Sequence, residues 1–118
     1  GISRQHRSFI AKLRASVLPL RIETGRFEHL DEEDRLCKVC DRECIENEFH
    51  FMFECSAYNF LRIKFLIEIL AIHQDFMDLE QNAKWNTIMT DRHLIPKTAA
   101  YICDAFHIRS KELFKNNR

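Results

Sequence analysis

Cys37, Cys40, His50 and Cys55 follow one another as C-x2-C-x9-H-x4-C, and no other feature of this chain limits its fold so strongly. A structural zinc ion takes four sulfur or nitrogen ligands in a tetrahedron, and a C-x2-C knuckle followed by a second ligand pair is the usual way one chain supplies them. The chain is therefore expected to bind one zinc ion and to fold around it.

The second pair lies in a segment, Asn47 to Cys55, that reads as a short helix. Five positions on a regular α-helix are about 500° apart, so His50 and Cys55 would point about 140° away from each other. Cys55 is thus expected where that helix unwinds, with Ser56 placed to cap a new helix directly afterwards. Cys44 follows Cys40 by four residues and could replace one ligand, although a free thiol beside the knuckle is the simpler reading. Cys103 falls in a later apolar stripe with Ile102 and Phe106, where a cysteine serves as a small hydrophobe.

A length of 118 residues fits one domain, 1–118, small enough that a metal would help to hold it together. Only two glycines and two prolines occur, and no Asn-Gly or Asp-Gly turn is present, so the expected class is all-α with a zinc site. Five cysteines at zinc-type spacing, without a hydrophobic leader, point to an intracellular setting, nucleus or cytoplasm. Arg62, Lys64 and Glu68 interrupt the apolar stretch from Tyr58 to Ile72, which makes it a core helix and excludes a membrane span. The chain begins at Gly1 without methionine, as expected of a piece of a longer polypeptide.

Five helical segments follow from the periodicity. The first, about Arg4 to Leu18, sets Phe9, Ile10, Leu13 and Val17 against Arg4, Arg7, Lys12 and Arg14, and Pro19 ends it. Leu20 to Leu30 reads as an irregular connection anchored by Ile22 and Phe27, with a turn at Gly25. The ligand helix, a buried helix from Ser56 to about Ile72 and a segment from Asp75 to Met89 come next. The last helix, about Pro96 to Phe114, starts with its proline in the first turn and aligns Ala99, Ile102, Cys103, Phe106 and Leu113, with Lys97, Lys111 and Lys115 facing away.

Several of these runs resemble a known family. Arg7-Ser-Phe-Ile-Ala-Lys-Leu-Arg14, Pro19 to Phe27, Arg35-Leu-Cys-Lys-Val-Cys40 and Ile45 to Phe51 continuing through Cys55 look like the zinc-binding region that follows the reverse transcriptase in many animal non-LTR retrotransposons. They are similar as well to the related segment of plant retroelement polymerases. The resemblance covers most of the first 60 residues and, loosely, the last helix. It implies that Cys37, Cys40, His50 and Cys55 are the zinc ligands and that the module handles RNA or DNA next to a polymerase. This chain departs from the family in carrying Ser56 where members often have proline, and in its extra Cys44.

Charge limits the nucleic-acid reading. The formal net charge is zero, and a three-thiolate zinc site would add about one negative charge, so the domain as a whole is no polyanion binder. Basic residues nevertheless gather before Phe27, whereas Glu28 to Glu54 is acidic. Phosphate contacts are therefore expected from Arg4, Arg7, Lys12 and Arg14, in competition with the plain reading of a solvated helix face. The alternative function is a structural or protein-interaction module docking on flanking domains or a partner. Its surfaces would be the acidic run Asp31 to Asp34 and the apolar excess around Phe60, Ile63 and Ile67. No catalysis, small-molecule substrate or membrane partner is expected, because the histidines are scattered and four ligands fill a zinc tetrahedron.

Overall fold

The computed structural model describes residues 3–116. Five α-helices carry it: α1 (Arg4–Arg14), α2 (Arg21–Phe27), α3 (Asn59–Leu70), α4 (Gln81–Thr90) and α5 (Ile95–Asn116). Short 3-10 turns lie at Glu32–Asp34, Ser56–Tyr58 and Phe76–Asp78, and a π-turn spans His50–Glu54. Among the described residues the extended pairing amounts to an isolated antiparallel bridge between Leu36 and Ile45. The fold is all-α, as the scarcity of glycine, proline and hairpin turns led one to expect, and no described helix is long and apolar enough to cross a membrane.

Helix α1 starts at Ser3, whose hydroxyl accepts from the His6 backbone N–H at 3.1 Å. It ends four residues earlier than Pro19 would require. Ser16 takes a left-handed φ of 58°, its N–H bonds to Leu13 O and the Val17 N–H to Lys12 O, which is a Schellman termination built on serine instead of glycine. Val17 is consequently outside the helix and 47% exposed, not on the core face, while Ile10 and Leu13 are buried as expected.

The stretch expected to be irregular is helical instead. Gly25 sits inside α2, with no positive φ and no turn, and Phe27 is 71% exposed and anchors nothing. The reason for glycine there is a neighbour: a Cβ at position 25 would lie 2.6 Å from Arg35 Cγ. Arg35 in turn donates to the backbone carbonyls of Leu30 and Ile22, closing the loop after α2. Ile22 packs at the edge of the core.

The long helix α5 is the element on which α1, α3 and α4 pack. Its residues Ala99, Ile102 and Ala105 are fully buried, and Phe106 stacks on Phe9 of α1 with ring centroids 5.6 Å apart. Small residues on α5 let the neighbouring helices approach closely, and Phe106 fills the space one turn further on. Between α3 and α4, His73 and Asp91 pair at 2.6 Å and tie the end of α3 to the turn before α5.

Candidate metal centre

The bridge between Leu36 and Ile45 turns the chain back on itself between the second and third ligands. Cys37 N donates to Cys44 O at 2.7 Å and Glu46 N to Arg35 O at 3.0 Å, while Asp41 and Glu43 adopt left-handed φ values of 57° and 55° to complete the loop. Aspartate tolerates that region better than most side chains, which explains a knuckle made without glycine. Backbone N–H groups of Val39 and Cys40 point at the Cys37 sulfur, that of Arg42 at Cys40 and that of Ala57 at Cys55, each stabilising a thiolate.

The second pair is brought together by the π-turn. Cys55 N donates to His50 O at 2.7 Å, an i to i+5 bond in place of i to i+4. With about 4.4 residues per turn, five positions advance by about 410°, so side chains five apart point within about 50° of one another instead of about 140°. The expected corner at Cys55 is present, with φ −61° and ψ 123°, and the widened turn before it aims His50 and Cys55 at one point. Ser56 opens a 3-10 turn that leads into α3 and does not act as its cap.

The widened turn displaces carbonyls from regular helix partners, and buried side chains meet them. Tyr101 of α5 donates its hydroxyl to Phe51 O at 2.9 Å, and Arg62 of α3 donates to Met52 O at 3.1 Å and to the Tyr101 oxygen at 3.2 Å. Phe51 itself packs against Phe106 and Tyr58, with centroids 4.9 and 5.1 Å away. The ligand corner is thus held by both long helices. Burial raises the Tyr101 hydroxyl to a pKa of about 12, so it stays a donor.

The donor atoms of Cys37, Cys40, His50 and Cys55 lie within 4.8 Å of one another, with Cys37, His50 and Cys55 buried and Cys40 partly so. Cys37 and Cys55 sulfurs are 3.9 Å apart, and Cys40 Sγ is 3.5 Å from His50 Nε2. A tetrahedral ion bound at about 2.3 Å to sulfur and 2.0 Å to nitrogen separates two sulfurs by about 3.8 Å and a sulfur from a nitrogen by about 3.5 Å. The residues fit a metal ion. His50 Nδ1 lies 3.9 Å from Glu54 Oε1, on the side from which a carboxylate orients a metal-bound imidazole. Cys44 is outside the group; its thiol faces Arg42 O at 3.5 Å.

Left to themselves, the sulfurs compete for protons. The contact between the Cys37 and Cys55 sulfurs, together with burial, pushes the Cys37 thiol up to about 12, while the same contact lowers Cys55 against the opposing effect of burial. Burial also raises Cys40. Three thiolates this close can be ionised together only around a cation, which is the electrostatic demand of the site.

Beneath the cluster lies a fully buried carboxylate. Glu46, with no accessible surface, accepts at Oε1 from a terminal nitrogen of Arg109 at 2.8 Å and from Arg21 N at 2.7 Å, and at Oε2 from Arg109 Nε at 2.9 Å, with Cys37 Sγ 3.8 Å from Oε2. The Tyr58 hydroxyl, buried without a hydrogen-bond partner, stays protonated through burial and the negative charges of Cys55 and Glu46. Glu46, Tyr101 and Arg109 were not singled out from the sequence, and Arg62 was read there only as a charge interrupting an apolar stretch. The signal was available for two: Arg62 falls in register with buried Phe65 and Ile69, and Arg109 with Ile102, Ala105 and Phe106, so the apolar stripes place both arginines inside.

The four cations assigned to phosphate contact are all exposed on α1, and none belongs to the four-donor group. Arg14 donates to Met89 O at 3.2 Å and so also holds α4, and the Lys12 ammonium stands 6.0 Å from the Phe9 ring. Arg4 and Arg7 have no ion pair or hydrogen bond of their side chains among the described residues. Comparison with protein-family models, with curated proteins and with solved structures finds no match to this chain.

Proposed function

We propose that this chain is a zinc-binding module that contacts RNA or DNA phosphates through the outer face of α1, as an accessory to a larger polypeptide of the retroelement polymerase type. Zinc is favoured for the metal because it accepts three thiolates and an imidazole in a tetrahedron and has no preference that would distort it. Four protein ligands fill that tetrahedron, which suits a structural ion and leaves no position for a substrate.

The observation that carries the nucleic-acid reading is a local concentration of cations without acidic partners. Arg42, Lys64, Lys84, Arg92 and Lys111 also lack one among the described residues but stand singly in separate parts of the fold. Arg21, Arg26, Lys97, Arg109 and Lys115 are each turned to a carboxylate, and Arg35 and Arg62 to backbone carbonyls. Helix α1 contains no acid, and its Arg4, Arg7 and Lys12 have no acidic partner among the described residues. Cations left free on one helix face are what a phosphate backbone recruits.

The test combines metal analysis with a salt titration. Elemental analysis should give about one zinc per chain. Fluorescence anisotropy with single- and double-stranded oligonucleotides should give a log affinity that falls with log salt. Changing Arg4, Arg7 and Lys12 together to glutamine should reduce that slope by about 2 to 3, at about 0.7 to 0.9 per contact, with helicity and zinc content unchanged. Equal affinity and slope in the triple variant would remove the nucleic-acid reading, and a metal-free chain that keeps its cooperative fold would remove the structural role of zinc.

A further inference from the structure

Helix α3 buries one side and leaves the opposite side apolar. Arg62, Phe65 and Ile69 are buried, whereas Phe60 is 90% exposed, Ile63 60% and Ile67 64%. At 100° per residue, Phe60, Ile67 and exposed Ala71 fall within about 40° of each other, with Ile63 on one flank and Lys64 and Glu68 on the other. A concavity of about 310 Å³ opens on this face, lined by Phe60, Ile63, Lys64, Ile67 and Glu68. An apolar row at i, i+3 and i+7 on a rigid helix is the pattern by which one helix seats on another.

We propose that this face pairs with the same face of a second copy, the two α3 helices running antiparallel about a two-fold axis close to residue 65. The argument is self-complementarity. In that register Phe60 meets Ala71 of the second copy, Ile63 meets Ile67, and Lys64 meets Glu68, and the two-fold axis repeats each contact in reverse. The largest side chain on the face is set against the smallest, which is the knob and hole that close packing needs. Lys64 and Glu68 lie on the same flank, and an antiparallel pair sets like flanks together, so each faces its opposite charge; in a parallel pair that charged flank would face the apolar Ile63 flank instead. Ala71 continues the helix beyond Leu70, since its N–H bonds to Ile67 O, so the face extends about 16 Å.

The row is three turns long, which puts the buried area at the low end for specific complexes, so the dimer is weak and concentration-dependent. The charged flank sets register and orientation more than affinity. Glu68 also lies 3.6 Å from Lys97 of its own chain, so Lys64 is the cleaner single site to change.

Sedimentation of the zinc-loaded chain between about 1 μM and 1 mM reads the equilibrium directly. The expected result is a monomer–dimer equilibrium that Phe60→Glu shifts by about 30-fold or more toward monomer, as for loss of a central anchor. Lys64→Glu should weaken the dimer about three- to tenfold, because Glu68 of the other copy then faces a like charge twice over. Adding Glu68→Lys to that variant should restore the wild-type constant to within about threefold, a recovery expected only when both charges face their own counterparts. Helical circular dichroism should be unchanged throughout, since Phe60 and Lys64 are exposed and Glu68 stands at the rim of the fold. A monomer at every concentration, a dimer indifferent to Phe60→Glu, or a double exchange no better than Lys64→Glu alone would each overturn the proposal. The first outcome would give the face to another part of the polypeptide or to a different protein.

Discussion

Replacing Arg109 by methionine keeps most of the side chain's volume on α5 and removes only the guanidinium. Glu46 would keep its bond from Arg21 N at 2.7 Å but lose both from Arg109, at 2.9 and 2.8 Å, in a position with no accessible surface. A buried charge stripped of its partner costs about 3 to 5 kcal/mol, a large share of the roughly 5 to 15 kcal/mol that holds a domain together. The Arg109 side chain is 11% exposed, so little of that cost is relieved by water. Urea unfolding with metal saturating should show the midpoint falling by about 1.5 M or more, taking a slope of about 1 to 2 kcal/mol per M. The Glu46→Met, Arg109→Met double variant separates charge from packing. It removes the stranded carboxylate and leaves only the Arg21 N–H unmet, which costs about 1 to 3 kcal/mol, so it should be more stable than Arg109→Met alone. A single variant costing under about 1 kcal/mol, or a double variant showing the plain sum of two losses, would refute the picture of a charged clamp beneath the metal.

Cys44→Ser should retain the metal, because the Cys44 thiol faces Arg42 O outside the four-donor group, whereas Cys55→Ser should lose it; elemental analysis of the purified variants decides, and the reverse pattern would mean a different ligand set. Gly25→Ala should destabilise by about 1 kcal/mol net in thermal or urea unfolding, since a Cβ 2.6 Å from the tethered Arg35 stem costs more than the about 1 kcal/mol that alanine gains in a helix. Stabilisation by Gly25→Ala would show that the Arg35 stem moves aside at no cost.

The convergence of Cys37, Cys40, His50 and Cys55 was legible because thiols and imidazole at short spacing have few other uses, and the corner at Cys55 followed from counting helical angles. What counting could not supply was the π-turn: the sequence says that His50 and Cys55 conflict on an α-helix, and either unwinding or widening resolves the conflict. Tyr101 and Arg62 decide for widening by meeting the displaced carbonyls, and they come from residues distant in sequence. Helix α2 was missed for a related reason, since a glycine inside a seven-residue helix contradicts local propensity and is explained only by Arg35 passing over it. The end of α1 was misplaced because Pro19 is a conspicuous stop, whereas a serine in the left-handed region leaves no mark in composition. Helix α3 was expected to be buried, and the structure corrects that: its apolar residues nearly encircle it, but only the Arg62, Phe65 and Ile69 side is covered, and Phe60, Ile63 and Ile67 are exposed.

The packing of α1 on α5 gives the chain a fixed order of assembly as it leaves the ribosome. The four candidate metal donors all lie between positions 37 and 55, so the knuckle and the π-turn can come together while the rest is still being made. At about 5 to 20 residues per second, the apolar face of α1 waits about 5 to 20 s for Phe106 to arrive, with Ile10 and Leu13 uncovered meanwhile. Glu46 spends that interval hydrated and at no penalty, and it is taken out of water only when Arg109 comes to meet it. Nascent chains stopped before Arg109 would therefore carry the donor loop with neither the first helix nor the carboxylate locked in place. The last helix is the latch that converts a local donor loop into a closed domain.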